Sequence, residues 1–348
     1  MRRVSRIAVA GVASAALALS VSACGGTSSD ASGSGESKGV GIAYDVGGKG
    51  DQSFNDAATA GMEQAKKEFK YEGTAVEPKD GESDADKTQR LISLAKQGFN
   101  PVIGVGYAYA PAVKEASAKY PKVTFGIVDD ATIKAKNVAS LVFSEQEASY
   151  LAGVAAAKAS KTKHVGFVGG VDVPLIHKFE AGFAQGVKDT DPKVKVERQY
   201  LTETAEEGGF TSPDKGKAAA EAQIEKGADV VYHASGLSGQ GVIEAAAKAK
   251  KWAIGVDSDQ YAQKPLAAYK QYILTSATKD VAKAVFNLAK SVQDGKPTTG
   301  VVRGDLKSGE VALSASNPTY SKDTAIQDAV KKAEEGIVNG DIKVKDKP

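Results

Sequence analysis

Residues 45–56 read DVGGKGDQSFND: three glycines, three aspartates, a lysine and one large aromatic, directly after the apolar run GVGIAY. Glycines beside a lysine suggest a phosphate cradle. A phosphate loop, however, needs four residues between its first glycine and a terminal Gly-Lys-Ser/Thr, and here Gly47, Gly48, Lys49 and Gly50 run in the wrong order. Three carboxylates would also repel the anion, so the loop must serve another partner.

Other candidates for chemistry exclude more than they offer. Among the three histidines, His164, His177 and His233, there is no H-x-x-H or H-E-x-x-H pattern, so a histidine metal site is not expected. A serine hydrolase would need a G-x-S-x-G elbow, which is absent. Gly236-Leu-Ser-Gly-Gln-Gly opens a helix in the order G-x-x-G-x-G, the reverse of a dinucleotide fingerprint; glycines there let a ligand approach the backbone at a helix start. Asp129 and Asp130 could do acid–base work, but on an extended segment only one of them would face a cleft, and a cap for a following helix is the plainer role.

These residues fall where short apolar runs end. Such runs alternate with alanine-rich amphipathic stretches along the chain: VGIAYD before SFNDAATAGMEQAKKEF, PVIGVG before YAPAVKEASAKYP, HVGFVGG before IHKFEAGFAQGVKD, DVVYHASG before GQGVIEAAAKAKK. Repeated strand–helix units imply parallel sheets, with ligands off the carboxyl ends of the strands. Eight such units would suit one closed barrel, but the pattern loses its alternation after Asp259. ILTSATKDVAKAVFNLAKSVQDG reads as a strand and a long helix, VVRGDLKSGEVALSA as a hairpin, and a last helix spans 322–335 with Gly336 as its cap. That late return favours an α/β protein of two doubly wound lobes.

The amino terminus settles location. Arg2, Arg3 and Arg6 precede the small-residue apolar run IAVAGVASAALALSVSA, too short for a durable membrane span. Val21-Ser22-Ala23-Cys24 resembles a bacterial lipobox, which implies that Cys24 is acylated and that residues 1–23 are a signal peptide. Residues 24–38 then form a Gly/Ser tether, and the protein is held on the extracytoplasmic face of the cell membrane through lipid on Cys24. With the only cysteine used there, no disulfide is expected. The net charge of +2 falls to about −1 without the three leader arginines, which argues against a nucleic-acid partner.

DVGGKGDQSFNDAATAGME, VIGVGY, FGIVDD, SEQEASYLAGVAA, FEAGFAQGVK, HASGLSGQGVIEAA, GVDSDQ and TSATKDVAKAV, in that order, resemble the basic membrane protein family of substrate-binding lipoproteins, which includes purine-nucleoside receptors of ABC importers. The resemblance implies a type I periplasmic-binding-protein fold with a cleft between two lobes joined by three crossings. Lobe 1 is expected over 39–145 with about 260–298, and lobe 2 over 146–258 with about 299–348. It implies that Phe54 stacks on a base, that Asp45 accepts from base N–H groups, and that Asp257 and Lys279 bind a ribose. Asn55, beside Phe54, can donate and accept. The opposing aromatic wall is Phe210, Tyr232 or His233; where the family carries F-x-D-P, this chain reads Phe210-Thr-Ser-Pro. The site expected is thus Asp45, Phe54, Asn55, Asp129, Phe210, Gly236, Asp257 and Lys279, with no metal or cofactor. The protein is read as a binding module, not an enzyme: a monomer that captures nucleosides for an ABC permease. A sugar or autoinducer receptor of the same fold is the alternative. A nucleoside hydrolase would want a D-x-D-x-x-x-D-D cluster, which Asp45–Asp56 lack.

Overall fold

The computed structural model describes residues 37–348 apart from Asp80; the expectations for the leader and Cys24 lie outside the described residues. In chain order the elements are β1 (Gly39–Ala43), α1 (Phe54–Phe69), β2 (Glu72–Val76), α2 (Asp84–Lys96), β3 (Val102–Gly104), α3 (Ala110–Lys119), β4 (Phe125–Val128) and β5 (Val138–Phe143). Then come α4 (Glu145–Ala159), β6 (His164–Val171), α5 (Pro174–Thr190), β7 (Lys195–Thr202), α6 (Pro213–Glu225), β8 (Val230–Ala234), α7 (Gly239–Lys248) and β9 (Trp252–Asp257). The chain closes with β10 (Ile273–Lys279), α8 (Val281–Gln293), β11 (Gly300–Gly304), β12 (Val311–Leu313), α9 (Pro318–Ser321) and α10 (Thr324–Val338).

The strands form two open sheets, which rules out the single barrel. One has the order β11-β5-β4-β3-β1-β2 and the other β12-β10-β9-β8-β6-β7. All neighbours are parallel except β12, which runs antiparallel to β10. Helices cover both faces, so inner strands such as β1, β4, β5 and β8 are buried throughout. That is why they read as continuous apolar runs and not as alternating ones. Helix starts follow local chemistry: Ser83 and Asp86 form a reciprocal capping box on α2, and Asp280 and Asp323 accept from Lys283 N and Ile326 N at the starts of α8 and α10.

The chain passes between the sheets three times: at Ser144, at Asp280 and over Asp305–Glu310. This moves the expected divisions. Ile273–Lys279 pairs with β9 in the second sheet, and Gly300–Gly304 pairs with β5 in the first, so the return to lobe 1 covers 281–304 and not 260–298. The expected hairpin is likewise absent. Its two strands sit in different sheets, Gly300–Gly304 against β5 and Val311–Leu313 against β10. The last helix runs to Val338 with Asn339 as its cap, and Gly336 lies inside it.

Candidate ligand-binding cleft

The strand ends of both lobes face a common cleft of about 550 Å³, mouth included, within the range of small-molecule sites. All eight residues expected from the sequence line it. Asp45 follows β1 and Asp129 follows β4, while Phe54 and Asn55 open α1. From lobe 2 come Phe210, Gly236 after β8, Asp257 closing β9 and Lys279 closing β10.

Loop 45–53 is built around its carboxylates. Asp51, 3% exposed, accepts from the backbone N–H groups of Ser53 (2.9 Å), Asn55 (2.8 Å) and Asp56 (3.2 Å), so it caps α1; burial pushes its carboxyl up to about 6. Asp56 accepts from Gly50 N (2.8 Å) and Gln52 N (3.2 Å). Asn55 accepts from Asp45 N at 3.0 Å and donates to Val46 O at 3.4 Å, holding the backbone turn. Asp45 accepts from Val46 N (2.9 Å), and burial pushes its carboxyl up to about 7. It is kept in place by Gly106, whose φ of +99° suits glycine and where a Cβ would lie 2.1 Å from Asp45 Oδ2.

Lys279 organises the other end. Its side chain is 4% exposed, with Nζ 2.6 Å from Asp129 Oδ2, 3.8 Å from Asp257 Oδ1 and 3.9 Å from Glu145 Oε1. Burial disfavours its charge, but Asp129, Asp257 and Glu145 together outweigh burial and hold its pKa above that of an ordinary lysine. Desolvation raises the pKa of Asp129 and Glu145 against the pull of Lys279. The expected Asp257–Lys279 pair is therefore one edge of a four-residue cluster whose shortest contact crosses the lobes to Asp129. Glu145 also accepts from Lys178 Nζ at 3.0 Å. Asp129 Oδ1 is buried and accepts no hydrogen bond from the described residues. Nζ of Lys279 lies 4.7 Å from the centre of the half-buried Phe54 ring, with Phe143 and Phe179 at 5.6 and 5.7 Å.

The three aromatic candidates separate. Phe210 lines the cleft. Tyr232 is fully buried with Oη 3.0 Å from Ser149 Oγ, and His233 is fully buried with Nε2 2.9 Å from Gln260 Oε1; burial pulls its pKa down to about 4. Asp129 turns inward, whereas Asp130 accepts from Thr132 N at 2.9 Å and closes a turn; no helix follows for it to cap. Leu175, Ile176 and Phe179, from the start of α5, also line the cleft and were not foreseen. Their periodicity marks a helix but not which of its faces meets a ligand.

Loop 45–53 also ties the lobes together. Ser53 Oγ donates to Asp257 Oδ2 (2.5 Å), Ser258 Oγ to Ser53 O (2.9 Å) and Gln260 Nε2 to Gln52 O (3.3 Å). Among the described residues no cluster of three metal-ligating side chains occurs, and no helix is long and apolar enough to cross a membrane.

Two doubly wound lobes, three crossings and a cleft between strand ends define the type I periplasmic-binding fold of solute-binding proteins. Residues 39–347 match the Bmp family, ABC transporter substrate-binding proteins that are PnrA-like, and the chain belongs to that family. It is 37% identical to the ABC transporter nucleoside-binding protein BmpA of Lactococcus lactis, over 98% of this chain and 99% of that one. It is 33% identical to an uncharacterized lipoprotein of Pyrococcus horikoshii, over 84% and 73% of the two chains. A solute-binding protein of an ABC transporter system from Aeropyrum pernix superposes with a TM-score of 0.74 at 26% identity, covering 87% of this chain and 92% of the other. The family is one of transport receptors, not enzymes.

Proposed function

We propose that the solute is a nucleoside, of the purine class, and that Cys24 carries the lipid that keeps this receptor beside its ABC permease. The cleft is lined by two half-buried aromatics, Phe54 and Phe210, and by a buried lysine among carboxylates; this combination of aromatic side chains with a polar cluster carries the reading. Phe54 and Phe210 hold the base between them, and stacking is worth roughly 1–3 kcal/mol per base while tolerating different bases. Asp45 reads the base edge. Asp257 and Asp129 accept from ribose hydroxyls, with Lys279 supplying donors and offsetting their charge. Asn55 shapes the loop, and Gly236 lets the ligand approach the backbone.

Calorimetry tests the ribose end. A 2′-deoxynucleoside leaves an acceptor unpaired in a closed cleft, at about 1–3 kcal/mol or more for a charged group, so adenosine and guanosine should bind at least about tenfold more tightly than their 2′-deoxy forms. Asp257→Ala should erase that difference. Equal affinities in the wild type would leave the ribose unread at Asp257, and a melting-temperature rise with sugars alone would point to a sugar receptor. Anchoring is tested separately: Cys24→Ala should release the protein into the medium with its binding intact, and retention of the variant on washed membranes would defeat the lipid assignment.

A further inference from the structure

The cleft does not end at its aromatic wall. A second chamber of about 1220 Å³, open to solvent, adjoins it, and Asp45, Val46, Tyr107 and Phe210 line both spaces. A different crevice adjoins the cleft at Asp257 and Lys279, and Asp45 does not line it. Asp257 and Lys279 therefore border one neighbouring space and Asp45 the other, and the chamber lies on the Asp45 side of the cleft.

The seam between cleft and chamber runs from lobe 1 at Tyr107 to lobe 2 at Phe210. The hydrogen bonds and ion pairs that tie the lobes lie elsewhere among the described residues, at Gly50–Ser53, at Lys279 and at the crossings. The two aromatics thus part without breaking a polar contact. Beyond them the chamber is acidic: Glu77, Glu82 and Glu206 face it with Asp45, against Lys79 and Lys87. Glu82 is already neutralised by Arg90, and Lys87 Nζ lies 3.7 Å from Asp84 Oδ1, which leaves Glu77 and Glu206 facing the chamber against Lys79.

We propose that this chamber is a subsite for groups carried on the exocyclic atom of the base, so that the receptor takes base-substituted nucleosides bearing a neutral or cationic extension as well as the parent compounds. This rests on the nucleoside reading, with the base on the Asp45 side. The four shared residues border both spaces. An extension at the base edge passes between Tyr107 and Phe210 into solvent-filled space, where Glu77 and Glu206 favour a terminal ammonium and disfavour an anion.

Calorimetry with adenosine, N6-hexyladenosine and N6-(6-aminohexyl)adenosine tests it on the full chain. The aminohexyl compound should bind within about threefold of adenosine, since it gives up no contact in the cleft. In the double variant Glu77→Gln/Glu206→Gln it should bind about twofold to fivefold more weakly, the scale of exposed ion pairs, while adenosine and the hexyl compound are unchanged. A loss of about thirtyfold or more for both substituted compounds on wild type, the size of a steric clash, would show a closed wall and overturn the proposal. Unchanged aminohexyl affinity in the double variant would overturn the charge assignment and with it the preference for cations. If adenosine and guanosine do not bind at all, the nucleoside reading falls first and takes this inference with it.

Discussion

Two buried charge environments share the cleft, and they behave differently on mutation. Lys279 compensates three carboxylates, so Lys279→Ala should cost about 3–5 kcal/mol of stability, because it leaves buried charges unpaired. Denaturant unfolding measures this, and a loss below about 1 kcal/mol would mean the cluster is wet enough to screen itself. Asp45 has no cation in contact among the described residues, and burial holds its folded pKa at about 7, above the 3.8 of a free aspartate. Between about pH 4 and pH 7 the folded state then holds a proton that the unfolded state has lost, so this group's contribution to stability falls as pH rises. Asp45→Asn should gain on the wild type across that window, by on the order of 2–4 kcal/mol, with solvent in the cleft reducing the figure. A pH-independent difference between the two would place the carboxyl in water. Phe54→Ala should lower nucleoside affinity about tenfold to a hundredfold, with a smaller effect on stability than the roughly 3–5 kcal/mol of a core phenylalanine. At this scale the sequence was informative wherever a polar or aromatic residue sat at a strand end, as Asp45, Asp257 and Lys279 do. It was silent on Glu145 and Phe179, which look like ordinary members of helices.

Among the elements, helices α4 and α5 make the most extensive contact and do so through small residues. A Cβ at Gly186 would lie 2.0 Å from Tyr150 O, backbone that cannot step aside without moving the helix. Gly186→Ala should therefore destabilise by about 1–3 kcal/mol, although alanine is the better helix former in isolation. A melting temperature at or above the wild-type value would show that the helices separate freely. The same pair explains what was legible: alternating apolar runs and amphipathic stretches identified the strand–helix units, because each is a local pattern. Pairing between distant segments is not local. The segments 300–304 and 311–313 lie close enough in sequence to suggest a hairpin, yet each pairs with a strand distant in sequence, β5 and β10.

At the scale of the molecule, closure depends on a few polar ties between loop 45–53 and lobe 2. Ser53→Ala removes the hydroxyl that Asp257 accepts. Hydrogen bonds to charged groups contribute about 1.5–3 kcal/mol, so ligand should leave at least about tenfold faster, with association little altered. Stopped-flow release would detect this, and an unchanged dissociation rate would mean that closure rests on the ligand alone. The three crossings have another consequence, for the order in which the chain is made. A ribosome delivers β5 long before β11, and β6 long before β12, so neither sheet is complete when its neighbour begins. The first sheet waits for residue 304 and the second for residue 313. A chain cut anywhere before residue 304 yields no finished half, and a nascent polypeptide stays open until nearly its last tenth emerges.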